Sequence, residues 1–174
     1  MKSAKKILAL ILAGVMALAL LTGCGKAKSL DRVMAEGFAE YLKSEFAQDG
    51  NNIISVSYQV PELSRDIAPL FDENWITKGS TGRYLNLNHR INGKTIKETL
   101  QDILSPYNSA KGINFFIADV TDVKTVFMKT RALIETSIGC SFNDVHSNFT
   151  SMRVAVVRKT VNGRTYALAV IIVE

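Results

Sequence analysis

The dipeptide Asn162-Gly163 constrains this chain more than any other feature, because it stands between two long apolar runs, Met152–Val161 and Arg164–Val173. Two residues that tolerate positive φ, flanked by β-branched and aromatic residues, predict a two-residue type I′ turn and a C-terminal β-hairpin. The turn sets a register. With Val161 opposite Arg164, Val157 faces Leu168, Val156 faces Ala169, Ala155 faces Val170 and Val154 faces Ile171. Both faces of that ribbon are apolar away from its tip, so it belongs in the middle of a sheet covered on both sides. The expected fold is therefore α+β: a three-layer α-β-α sandwich around a mainly antiparallel sheet closed by the C-terminal hairpin.

The N-terminus carries an address. Lys2, Lys5 and Lys6 precede an unbroken apolar run, Ile7–Leu21, with no acidic residue before Gly23, the layout of a secretory signal peptide. The run of about 15 residues is shorter than the roughly 20 needed to span a bilayer. It ends in Leu21-Thr22-Gly23-Cys24, which resembles the bacterial lipoprotein box. That resemblance implies cleavage before Cys24, lipid on its thiol, and a protein anchored to the extracytoplasmic side of the bacterial cell membrane. The expected organisation is a signal peptide over 1–23, a tether over 24–29 and one domain over 30–174. Without the three signal lysines the chain has 18 basic and 16 acidic residues, a net of +2. So slight an excess, outside the cell, argues against a nucleic-acid partner. With Cys24 lipidated, Cys140 is the only thiol left and no intrachain disulfide forms.

Along the body, Leu30–Phe46 has helical apolar spacing, and Ile54, Val56, Tyr58 and Val60 alternate with polar residues as a strand. Pro61–Phe71 reads as a helix kinked at Pro69, and Asp72–Thr81 as a loop around Trp75, a lid over the core. Arg83–Asn88 is a short strand. Thr95 and Glu98 make a capping box for a helix reaching Leu104, stopped by Ser105-Pro106. Ile113–Ala118 is a buried strand, and Asp122 caps a helix that ends at Ser137.

Ser137, Gly139, Asn143, Phe149-Thr150, the valine strand Val154–Val157, the Asn162-Gly163 turn and Tyr166 follow one another in an order that resembles the C-terminal half of an SCP-like domain of the CAP superfamily, the cysteine-rich secretory protein, antigen 5 and pathogenesis-related group. Upstream, His89-x-x-x-Gly93 is similar to that family's first histidine segment, and Gly112-Ile113-Asn114 to its Gly-Glu-Asn, with the acid missing. The resemblance implies a cleft lined by His89, Ser137, Cys140 and Asn143, with Cys140 standing where the family has its second histidine. Two ligands do not make the four-coordinate site zinc favours, so no metal and no cofactor are expected. Ser137 or Ser141 with His146 lacks an orienting acid and a Gly-x-Ser-x-Gly elbow, so no catalytic residue is assigned. Arg153, Arg158, Lys159 and Arg164 read as charges that guard the ribbon against pairing with other chains. The expected function is a non-catalytic domain that binds a lipid, a cell-wall polymer, a small molecule or a surface. The alternative is a metal-assisted extracellular hydrolase using a modified cleft.

Overall fold

The computed structural model describes residues 28–48, 50–78, 83–137 and 149–174, which form a mixed α+β structure with four helices and a four-stranded mixed sheet that does not close into a barrel. Ser29 opens the first helix, α1 (Leu30–Gln48): its hydroxyl accepts from the Arg32 N–H at 3.2 Å and its carbonyl from the Val33 N–H at 3.1 Å. Gly50, at φ +83°, ends it in the left-handed conformation a glycine adopts without strain.

Strand β1 (Ser55–Ser57) follows and pairs in parallel with the start of β7 (Ser151–Val161). It is shorter than the alternation over residues 54–60 predicts, and Ile54 is 77% exposed. The Ser57 hydroxyl accepts from the Gln59 N–H at 3.3 Å, a local turn that takes the backbone off the sheet before Pro61. The Pro69 segment is not simply kinked. A π-wound turn, Leu63–Ile67, leads into α2 (Ala68–Leu70), and the wider turn relieves the clash a proline ring makes with the carbonyl four residues back. The stretch around Trp75 is likewise more ordered than a loop, since β2 (Ile76–Lys78) pairs with β3 (Arg83–Leu85). Trp75 is fully buried against Phe71 and Phe115.

Asn92-Gly93, at φ +50° and +85°, turns β4 (Arg90–Ile91) back on β5 (Lys94–Thr95), the same chemistry as Asn162-Gly163 on a ribbon of two-residue strands. The capping box at Thr95 and Glu98 starts α3 (Ile96–Ile103) with both reciprocal bonds made. Strand β6 (Gly112–Asp119) lies at one edge of the sheet as described, mostly half-buried, with β3 close beside it. Helix α4 (Val126–Ser137) is capped by Thr125, whose hydroxyl accepts from the Met128 N–H at 3.2 Å. Asp122 lies exposed in the turn before it, three residues too early for that bond.

The order β1-β7-β8-β6, with β8 at Arg164–Val173, puts β7 and β8 inside the sheet. Their antiparallel register pairs Val161 with Arg164, Val157 with Leu168 and Val154 with Ile171. Alternation then sorts side chains into two clusters. Met152, Val154, Ala169 and Ile171 pack under α1 and α4, whereas Ala155, Leu168, Val170 and Ile172 pack with Leu63, Ile67, Trp75, Ile96 and Leu100. Ala167–Ile172 is 0% exposed, which explains why β8 reads as a continuous apolar run with no wet face.

Candidate functional site

On the face of the sheet covered by α3, a groove of about 410 Å³ runs between that helix and β6, with the end of β3 on its wall. Its walls are Leu85, Leu87, Leu100, Leu104, Ile113 and Phe115. Sequence explains their meeting: Leu100 and Leu104 repeat at helical spacing along α3 and its C-cap, and Ile113 and Phe115 at strand spacing on the same face of β6. The Lys97 N–H donates to the Leu87 carbonyl at 3.2 Å, which holds the β3–β4 connection against the start of the helix.

The polar lining is sparse. Lys97 is the one charged residue there, and among the described residues its ammonium has no ion-pair partner; Gln101 and Asn108, both exposed, likewise have side chains without hydrogen-bond partners. Tyr107 is already engaged: its hydroxyl donates to Glu62 Oε2 at 2.8 Å. Burial, and then that bond and the charge of Glu62, hold the phenol above its ordinary pKa, so it stays neutral. A groove of this size falls near the lower end of small-ligand sites, roughly 300–1,000 Å³. Nothing in its lining is placed to act as a nucleophile with a base.

Of the cleft residues singled out in the sequence, His89 and Ser137 are among the described residues, and they do not come together. His89 is half-buried on the groove's side of the sheet, its carbonyl accepting from Ile96 N–H at 2.8 Å and its own N–H donating to Asn86. Ser137 ends α4 under the other face, where its buried hydroxyl donates to the Ile134 carbonyl at 2.7 Å. The sheet therefore separates the two residues that the cleft was expected to join. Spacing along the chain reveals neither face nor side for segments in different layers. Cys24, Cys140, Asn143, Ser141 and His146 lie outside the described residues. No family model, curated protein or solved structure matches the chain. Among the described residues no group of three or more His, Cys, Asp or Glu is placed to hold a metal ion, and no helix is long and apolar enough to cross a membrane.

Sequence reasoning missed the groove because its key residue, Lys97, resembles any exposed helix lysine. The available signal was the pairing of an amphipathic helix, Ile96–Leu104, with an apolar strand, Ile113–Ala118, which carries no charge to guard an edge.

A second groove, of about 390 Å³, lies between Tyr58–Ser64 and Ala155–Val157 near Ser29 and Asp31. Arg158 is held there by Asp31 at 2.5 Å, and the guanidinium of Arg32 sits 3.7 Å from the Tyr58 ring centre. Its charges are taken up internally.

Proposed function

We propose that this chain is a lipoprotein held on the extracytoplasmic side of a bacterial membrane through Cys24 and carrying a non-catalytic binding domain. Its architecture in this reading is a three-layer α-β-α sandwich with a C-terminal hairpin, of the SCP-like kind. The order of basic residues, apolar run and Leu21-Thr22-Gly23-Cys24 supports the anchor. Two apolar clusters on opposite faces of one sheet support the layering. The observation that carries the binding role is the groove between α3 and β6: apolar walls, one cation, and no acid–base pair in its lining. Such a lining holds and orients a molecule without a group to transform it.

Fractionation tests the anchor. Wild-type protein is expected in the membrane fraction with a mass increase from acylation, and Cys24→Ala in the soluble fraction or retained as precursor; a mature-length Cys24→Ala protein in membranes would overturn the anchor. Elemental analysis tests the non-catalytic role against the metal-assisted hydrolase. One tightly bound metal per chain, lost in both His89→Ala and Cys140→Ser, would favour the enzyme.

A further inference from the structure

We infer that the α3–β6 groove receives a single-chain alkyl carboxylate, its chain lying over Leu100, Leu104 and Phe115 and its head at the Lys97 ammonium. This rests on the binding role proposed for the groove and names the class of molecule held there.

The head group follows from Lys97. It stands in the first turn of α3, where the helix dipole favours an anion and gives a cation no benefit. The positions three and four residues further on, from which an acid would reach it along the helix, are Leu100 and Gln101. Nearby acids are engaged elsewhere: Glu98 accepts from the Thr95 N–H at 2.7 Å and hydroxyl at 2.8 Å, and Asp102 pairs with Lys94 at 2.5 Å. Gln101, one turn along and like Lys97 without a side-chain partner among the described residues, adds an amide donor. A carboxylate accepts from both at once. Its single charge also matches one ammonium, whereas a phosphate monoester, at about −1.5 to −2 near pH 7, leaves charge unbalanced.

The tail follows from the rest of the lining. Leu100 and Leu104, on α3 and its cap, line it opposite Ile113 and Phe115 on β6, and Leu85 and Leu87 complete the wall. Because β3 runs close beside β6, the groove presents side chains rather than an open sheet edge, contacts that suit methylene groups better than peptide bonds. Leu87 is 42% exposed, among the large apolar side chains most open to water in the described residues, and a chain laid in the groove covers it. Lys97 and Leu104 are about 10 Å apart along the helix axis, so one molecule spans both the charge and the apolar floor.

The test is an amide NMR titration of the chain from residue 24 to 174 carrying Cys24→Ser, free of detergent, whose alkyl chains would compete for the groove. The probes are hexanoate, octanoate, 1-octanol and octyl phosphate, each below its micelle concentration. Octanoate is expected to shift the amides of Leu87, Lys97–Gln101 and Ile113–Phe115 saturably, and its two extra methylenes should make it about tenfold tighter than hexanoate. 1-Octanol should bind roughly fivefold or more weakly than octanoate, and octyl phosphate no more tightly. Lys97→Gln should bring octanoate down to the level of 1-octanol, Lys97→Arg should preserve the difference, and Leu87→Asp on the groove wall should weaken octanoate by a similar factor. No saturable shift, shifts confined to other segments, hexanoate as tight as octanoate, or indifference to Lys97→Gln would each overturn the proposal. 1-Octanol as tight as octanoate, or octyl phosphate tighter, would overturn the carboxylate head while leaving a binding role for the groove. A tightly bound metal lost in His89→Ala and Cys140→Ser would instead overturn the binding-domain reading, so the two fail separately.

Discussion

Asp119 shows how a single carboxylate holds the far end of an edge strand. Burial pushes its pKa up, but hydrogen bonds from the Thr121 hydroxyl at 2.6 Å and Arg164 Nη2 at 2.5 Å outweigh that and hold the carboxyl below its ordinary value. A carboxyl held low when folded binds fewer protons than the unfolded chain does. Its stabilisation is complete above about pH 4, the unfolded value, and is lost as pH falls through the folded one. Asp119→Asn is therefore expected to cost about 1–2 kcal/mol at pH 7. The gap between the two proteins should close in urea unfolding curves taken at successively lower pH below that point. A gap unchanged down to pH 2 would mean that charge plays no part. Trp75 poses the opposite case, a buried Nε1–H without a hydrogen-bond partner among the described residues. Its ring packs against two aromatic rings, Phe71 and Phe115, and Phe71 packs in turn against Tyr166, which makes it a packing centre despite that cost.

At the scale of elements, the turn-linked pair β7–β8 dominates. Leu168 and Val170 are wholly buried in the middle of the sheet, so Leu168→Asp should abolish folding by leaving a charge without a partner. In hydrogen exchange, the β8 amides are expected to be the slowest and those of β1, tied by three residue pairs, among the fastest. Slow exchange in β1 equal to that in β8 would contradict the sheet order. This pair, the capping box at Thr95 and the helix Leu30–Gln48 are legible in the sequence because their chemistry is local: a turn dipeptide, a reciprocal cap, a 3.6-residue period. The Asn92-Gly93 turn carries the same dipeptide and is easily passed over, since its flanking strands are too short to show alternation. Where the sequence misleads, the decisive partner is remote. Residues 54–60 alternate as a full strand should, yet the Ser57 turn ends pairing after three residues. Ile113–Ala118 reads as a buried strand because it is apolar, and only the sheet order makes it an edge.

Over the whole molecule, the candidate site was the least legible part, because layer assignment depends on every crossover between His89 and Ser137 rather than on either residue. The same layering fixes directions. The start of α1 lies beside the middle of the β7–β8 pair, where Asp31 meets Arg158 level with Ala167, on the face of the sheet that α1 and α4 cover. Five peptide units from Cys24 to Ser29 reach at most about 18 Å, whatever their conformation. In the proposed anchoring, with a lipid at Cys24, the domain is leashed on the face that α1 covers, and the groove opens on the opposite face of the sheet. A fluorophore at Thr160→Cys should then be quenched by headgroup-labelled lipid far more than one at Ser109→Cys, both in a Cys140→Ser background; equal quenching would refute the leash. A domain tied this way holds its groove towards the water, like a hand extended from the bilayer, and samples what diffuses past the envelope instead of what dissolves in it.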